Sequence, residues 1–446
     1  MFQQLFKSKN NSSILKLSFG SIISQVIPFL LMPILTRLYS PQEFGGLAIF
    51  ISITLIFAEI VTGKYEMAIL LPKKTLTAIE LTTSTIYFNL ILSFILFILI
   101  SIFKTPFLNA FDQDEVLNNW VYLIPIAVFL NALYEILKDF SLRMNSYTII
   151  SKSYITRSTF GNTAQLILGI LKYTTSGLIV GNLLSQIAAN TQVLRIFLQE
   201  KKLKNFKKLK FNRFISLLNQ YKDFPLYSMP SSVLTTLSNQ LLLITLPIIF
   251  SSNIAGFYLL AQRIANIPIS IISNSIRQVA YKEYSEIQND VDALRKKTWE
   301  ILTKAFIIGI IPTIILMFTG QILFRFAFGA QWAMAGVFAQ IISIWYLMVF
   351  ISGPISNLLI VIKKQHKALI FQIISFCLKS LCLYYCYLKH YSILITIITF
   401  SIISTILLMV LMVYILNLIK FNFNKLAIYL FTLITVLCFI YLISLL

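Results

Sequence analysis

Acidic residues are scarce in this sequence: 16 Asp and Glu stand against 37 Lys and Arg, and charges of both signs make up only 12% of 446 residues. Water-soluble domains carry about 25%, so a soluble globule is excluded. Cysteine is nearly absent. The four present, Cys377, Cys382, Cys386 and Cys438, all fall inside apolar runs and so build no extracellular disulfide framework. Cys382 and Cys386 stand one helical turn apart, but no neighbouring His or acid completes a metal site, and packing is the simpler reading. The two histidines, His366 and His390, are isolated at the ends of one apolar run. A phosphate loop GxxxxGK[ST] is missing too: TGKYEMA, beginning at Thr62, lacks its glycine spacing and its Ser or Thr, so the chain does not itself hydrolyse ATP. No HExxH, no pair of catalytic carboxylates and no nucleophile triad occurs. Catalytic residues, cofactor and metal ligands are therefore all assigned as none, and the sequence reads as a carrier.

What fills the chain instead is apolar, 58% of all residues, with a mean hydropathy of +0.82. The apolar residues gather in runs of about twenty, the length that crosses roughly 30 Å of hydrocarbon as a helix. The runs predict spans at 14–36, 44–63, 79–103, 117–137, 150–171, 174–194, 223–250, 254–278, 299–319, 333–361, 368–388 and 391–418, with a thirteenth at 426–446. The opening MFQQLFKSKNNSS is basic and polar, but the run after it is too long for a signal-peptide core and is an uncleaved first span. No outer loop is long enough to fold by itself; the longest, from Lys104 to Val116, carries Asp112, Asp114 and Glu115.

The longest polar interval is Arg195 to Lys222, with nine basic residues and the single acid Glu200. In a soluble protein the net charge of +21 would point to nucleic acid; here the positive-inside rule accounts for it. With the amino terminus in the cytoplasm, only Arg37, Lys104, Lys172, Arg325 and Lys389 fall on the outer side. The expected organisation is an N-terminal lobe at 1–194 (spans one to six), a basic cytoplasmic linker at 195–222, a C-terminal lobe at 223–420 (spans seven to twelve) and an additional span at 421–446.

The two halves echo each other. LYSPQEFGGL (Leu38 to Leu47) closes span one and IFSSNIAGFY (Ile249 to Tyr258) closes span seven; aligned at Gly45 and Gly256, Tyr39 meets Phe250 and Ser40 meets Ser251. FKTPFLNAF (Phe103 to Phe111) and LFRFAFGAQW (Leu323 to Trp332) both close the third span of their half. Six spans separate the copies, so an axis along the membrane normal would relate them.

Charges inside hydrocarbon are costly and face a cavity or a partner. Arg263 lies about ten residues into span eight, and Lys379 is equally central in its span. Arg157 and Lys152, and Glu59 and Lys64, lie near the cytoplasmic ends of spans five and two, where snorkelling to the interface serves equally well as an explanation. Glu59 is the only acid placed clearly within a span. An inward cavity lined by Arg263, Lys379 and Arg157 would attract an anion such as a phosphate or pyrophosphate head group; a structural ion pair explains Arg263 equally well. Gln25, Asn162 and Asn239, with Ser21, Ser24, Gln165, Asn182, Gln186 and Gln240, are positioned for sugar hydroxyls or for bonds between helices. Prolines at 28, 33, 125, 230, 247, 268, 312 and 354 are expected to interrupt helices in both lobes.

TRLYSPQEFGGLAIF (Thr36 to Phe50) followed by KYEMAILLPKK (Lys64 to Lys74) resembles the start of Wzx-type polysaccharide-export flippases. YKDFPLYSMPSSVLTTLSNQLLLITL and AGFYLLAQRIANIPISIISNSIRQVAYKEYSE resemble spans seven and eight of that family, and FAFGAQWAMAG (Phe326 to Gly336) its ninth-to-tenth connection. The resemblance covers roughly residues 14 to 420. It implies an all-α polytopic membrane protein of the multidrug/oligosaccharidyl-lipid/polysaccharide exporter superfamily: two six-helix lobes around a central cavity, twelve core transmembrane helices and here a C-terminal extra helix. The implied substrate is an oligosaccharide on undecaprenyl pyrophosphate, flipped across the bacterial cytoplasmic membrane for O-antigen or capsule, with a proton or sodium gradient or the membrane potential as energy source. Implied partners are the lipid-linked oligosaccharide, membrane lipids, and polysaccharide polymerase and chain-length proteins; nucleic acid is not among them. Arg263 takes the basic position of the span-eight pattern. An ion-coupled drug exporter of the same fold, a membrane polysaccharide polymerase and a scaffold for glycan enzymes are the alternatives.

Overall fold

Polar residues point inward and apolar ones outward along the helix at Thr75–Ile102: Thr82, Ser84, Thr85, Asn89 and Ser93 are buried while Leu90, Ile91, Phe94 and Ile95 are exposed. This inversion is stable only where the surroundings are hydrocarbon. Asn89, completely enclosed, donates to the Phe129 carbonyl at 3.2 Å and accepts from Ser93 at 3.1 Å, the inter-helix bonding expected of polar groups in a membrane.

The computed structural model describes residues 9–109, 120–200, 211–362 and 364–421. Residues 201–210 of the basic linker and the predicted thirteenth span at 426–446 lie outside them. Every regular element among the described residues is helical: α1 (Lys9–Leu38), α2 (Pro41–Thr62), α3 (Tyr65–Ala68), α4 (Thr75–Ile102), α5 (Lys104–Asn109), α6 (Ile124–Arg143), α7 (Tyr147–Ile170), α8 (Thr175–Gln199), α9 (Phe211–Gln220), α10 (Met229–Ile249), α11 (Ser252–Pro268), α12 (Asn274–Glu286), α13 (Val291–Phe328), α14 (Ala333–Val361), α15 (Gln365–Leu388) and α16 (Ile393–Leu418). Among the described residues, ten segments are long and apolar enough to cross a membrane. The long helices α7 and α8 fall outside that set because their buried faces carry Ser151, Ser153, Ser158, Gln165, Ser185, Gln186 and Asn190; Ser158 donates to the Ser24 carbonyl at 2.9 Å and Asn190 to the Leu130 carbonyl at 2.9 Å.

Local sequence explains where helices begin and end. Ser40 caps α2 through a capping box with Glu43, whose carboxylate accepts from the Ser40 backbone N–H at 2.6 Å, and Pro41 takes the first turn where no N–H is needed. Gly63 stops α2 in the left-handed region at φ 54°. Prolines 28, 33, 247, 312 and 354 lie inside continuous helices, so they do not break the chain as expected. Pro125 and Pro230 instead stand at helix starts. Pro268 closes α11 at a single wide turn, Ile269–Ser273, with i→i+5 bonding.

Two compact units form, Met1–Gly256 and Phe257–Leu446. In the first, α7 packs along both α1 and α8, α6 lies against α2, α4 and α8, and α10 lies against α2. In the second, α14 is central and packs on α12, α13 and α16, with α15 against α16. Several predicted boundaries move. The fourth span does not end at 137 but continues as helix to Arg143, and the ninth begins at Val291, so that α13, with 38 residues, is about 57 Å long and exceeds the bilayer core.

Candidate functional site

In the first unit Lys64, Lys138, Arg143 and Arg157 all find partners. Lys64 follows Gly63 in a second consecutive left-handed conformation, φ 58°, and this turn brings its ammonium to 2.5 Å from Glu59 Oε2 and 3.4 Å from Glu66 Oε1. Thr236 on α10 donates to the other Glu59 oxygen at 3.3 Å. Lys64 and Glu59 thus pair with each other, and snorkelling is not needed to explain them. Burial holds the Glu66 carboxyl above the ordinary carboxylate range despite Lys64. For Lys64, burial lowers the pKa, but Glu66 and Glu59 outweigh it and the net direction is upward.

Glu135, inside the predicted fourth span, and Asp139, on the part of α6 that extends beyond it, are further membrane-segment acids, so Glu59 is not alone. Lys138 pairs with Glu135. Arg143 clamps the turn after α3, donating to the carbonyls of Ile69 at 3.2 Å, Leu70 at 3.0 Å and Pro72. Sequence reading missed this group because its acids and bases sit where the apolar run fades; the alternating signs at Glu135, Lys138 and Asp139 were the available signal.

Of the residues singled out from the sequence, Arg157 on α7 donates to Asn131 Oδ1 on α6 at 3.0 Å and lies 5.4 Å from the centre of the Tyr134 ring. Asn162 donates to the Ser158 carbonyl in its own helix at 2.7 Å. Gln25 is half-buried on α1, beside Ser24, whose carbonyl accepts from Ser158 at 2.9 Å. Asn239 is exposed on α10, while adjacent Gln240 accepts from Ser52 at 3.0 Å.

The second unit also holds ion pairs, among them Lys297 with Glu283 and Glu300 at 3.1 Å each, but two of its cations in apolar helices stand apart from them. Arg263, half-buried on α11, and Lys379, 8% exposed on α15, form no ion pair and no hydrogen bond among the described residues. Lys379 is enclosed by aromatic faces, 5.6 Å from the Trp345 ring centre and 5.9 Å from that of Phe400, so cation–π attraction partly replaces its hydration. Arg263 has no such cover. A guanidinium within a membrane-spanning helix, unpaired and partly open, has five donors available for an anion.

The chain matches the family described as polysaccharide biosynthesis protein over residues 34–336. No curated protein sequence matches it. Among solved structures it is similar to the lipid II flippase MurJ in an inward closed conformation, with a TM-score of 0.72 at 15% identity over 96% of this chain and 97% of that one. The inward-facing conformation of a multidrug resistance MATE family transporter of the MOP superfamily gives 0.64 at 15% identity, covering 91% and 94%. A MOP superfamily transporter from Pyrococcus furiosus gives 0.59 at 15%, covering 94% and 97%. The fold is that of MOP superfamily transporters.

Proposed function

Because the chain belongs to the polysaccharide biosynthesis protein family, we propose that it is a flippase that moves oligosaccharide repeat units on undecaprenyl pyrophosphate from the cytoplasmic to the outer leaflet, for O-antigen or capsule. The observation that carries this reading is Arg263, a half-buried arginine in a membrane-spanning helix with no counter-ion among the described residues. A diphosphate supplies the missing negative charge and accepts in the paired geometry that a guanidinium favours. Lys379 and Arg157 are the accompanying cations, and Gln25, Asn162 and Asn239 the sugar contacts. The lipid tail stays in the bilayer. Residues 1–194 and 223–420 act as the two rocking lobes, and a proton or sodium gradient drives the cycle in the bacterial cytoplasmic membrane, with the amino terminus inside. Polymerase and chain-length proteins receive the product.

A drug exporter of cationic compounds is less well supported, since three of the acids it would use are engaged: Glu59 and Glu66 share Lys64, and Glu135 holds Lys138. The test is deletion of the gene and complementation with the wild-type chain or Arg263→Ala. Loss of surface glycan with precursor accumulating on the cytoplasmic leaflet is expected for the deletion and for Arg263→Ala; undiminished glycan with Arg263→Ala removes the arginine from the reading. Short glycans at the surface without long chains would indicate a polymerase instead.

A further inference from the structure

Helix α9, in the first unit, presents three distinct faces. Leu217 is fully enclosed in that unit's core. Arg213, one turn earlier, reaches Glu80 Oε2 on α4 with Nε at 2.9 Å and a terminal nitrogen at 2.7 Å, and the Leu218 carbonyl accepts from the Tyr65 hydroxyl at 3.3 Å. These contacts hold in place a helix of ten residues, too short to persist alone. The second face, Asn212, Ser216, Asn219 and Gln220, is polar and exposed. The third is apolar, with Phe211, Phe214, Ile215 and Leu218 recurring at the spacing of one helical stripe. Phe211 is 72% exposed and Ile215 42%, and the rings of Phe211 and Phe214 stack with centres 6.2 Å apart.

The depth of α9 follows from its seat on α4. A span of 28 residues is about 42 Å long and overhangs a hydrocarbon core of roughly 30 Å by about 6 Å at each end. Glu80 lies five residues into α4, about 8 Å along its axis, so α9 rests where the span enters the bilayer. The turn that leads into α4 there exposes Leu70 and Leu71 beside Lys73 and Lys74. The ammonium groups of Lys73, Lys74 and Lys222 are exposed and form no ion pair among the described residues. Against them stands Asp223, since Glu80 is committed to Arg213.

We infer that α9 is an interfacial helix: its stripe from Phe211 to Leu218 lies among the acyl chains at the membrane surface, and Lys73, Lys74 and Lys222 hold the phosphates of anionic phospholipids beside it. This requires only that the chain spans a membrane, and it stands apart from the flippase reading. The stripe runs the length of α9, so the axis lies in the membrane plane; an upright helix would carry Asn212, Ser216 and Asn219 into hydrocarbon with it. The polar face of α9 carries no charge, so the preference for anionic lipid falls to the three lysines. One lysine at the surface draws an anionic head group about fivefold over a zwitterionic one.

The test uses full-length protein with its native cysteines replaced by Ala, carrying bimane at Ile215→Cys or at Ser216→Cys, in phosphatidylcholine vesicles. Nitroxide-labelled phosphatidylglycerol or phosphatidylcholine is then titrated in as quencher. Bimane at 215 is expected to be quenched and shielded from aqueous iodide, and bimane at 216, which leaves the stripe intact, to behave in the opposite way. Labelled phosphatidylglycerol is expected to quench at 215 at about one fifth the mole fraction that labelled phosphatidylcholine needs. Replacing Lys73, Lys74 and Lys222 by Gln, all exposed positions, should bring the two lipids to parity while 215 stays quenched. Equal quenching at 215 and 216, or equal potency of the two lipids in the wild-type background, overturns the inference. A preference that survives the triple substitution overturns it as well. Shielding at 215 that grows with the protein-to-lipid ratio would show a second copy seated on the stripe and overturn the lipid assignment.

Discussion

The Tyr39 hydroxyl lies 2.4 Å from where a Cβ on Gly177 would stand, and it donates a 2.7 Å hydrogen bond to the Gln165 carbonyl. Gly169 yields space to the same ring, its Cβ position falling 2.8 Å from Tyr39 Cε2. The turn between α1 and α2 is thereby pinned to the paired helices α7 and α8. Burial, with a smaller contribution from Glu43, pushes the Tyr39 hydroxyl up to about 12, so it remains a donor throughout the physiological range.

Tyr39→Phe should cost about 1 kcal/mol by leaving the Gln165 carbonyl without its donor. Gly177→Ala should cost more, about 2 kcal/mol, since the ring is 2% exposed and has nowhere to retreat. Combining them should cost less than the sum, because removing the hydroxyl makes room for the methyl. Thermal unfolding in detergent of the four proteins checks this; strict additivity would show that the hydroxyl and Gly177 do not share one site.

Lys64→Met should cost about 3 kcal/mol, the lower end for removing one partner of a buried pair, because Glu59 is 24% exposed. Glu59 and Glu66 would then face each other without a cation. Lys64→Met with Glu59→Gln and Glu66→Gln should recover most of the loss. Unfolding midpoints of the single and triple variants decide it, and a triple variant no better than the single refutes the ionic explanation.

Glu66 also sets a pH dependence. Its folded pKa is above the unfolded value of about 4.3, with burial as the main cause. Between the two values the folded state binds more protons than the unfolded one, so this site loses stability as pH rises through that interval. Lys64, raised in net terms, contributes stability that is lost only above about pH 10.4, outside the same window. Glu66→Gln should flatten the decline between mildly acidic and neutral pH in a melting series. A wild-type curve that rises across this range would reverse the assignment.

Arg263 and Lys379 should respond differently to neutralisation. Lys379→Met removes an enclosed charge that lacks a counter-ion, and the fold should gain stability, by about 1 kcal/mol after the lost cation–π attraction is counted. Arg263→Lys keeps charge but loses the planar fork, so glycan export should fall although the protein folds. Melting temperatures and surface glycan, measured on both variants, separate the two; full export by Arg263→Lys would mean that charge alone suffices.

Much of this was legible in the residues. The inverted patterning of α4 follows from an apolar run punctuated by Asn89 and Ser93, and the α2 start follows from Ser40, Pro41 and Glu43, all within four positions. The Gly45 and Gly256 echo was visible as a repeat. The contact behind it was not, because nothing local says that the Gly45 turn rests on the Ser252 carbonyl and the Gly256 turn on that of Pro41. The paired state of Lys64 was hidden for a related reason: Gly63 and Lys64 both adopt left-handed backbone, and that turn, not sequence distance, aims the ammonium at two carboxylates.

The membrane class and the run of helices follow from the amino-acid order alone, since hydropathy and charge asymmetry act over whole segments and a cap such as Ser40 acts over a few residues. Only the tertiary structure decided which charges are satisfied. Arg157 finds Asn131, Lys64 finds Glu59 and Glu66, Lys379 finds two aromatic rings, and Arg263 has no counter-ion among the described residues. Neutralisation depends on distances between helices, and those distances are set by packing.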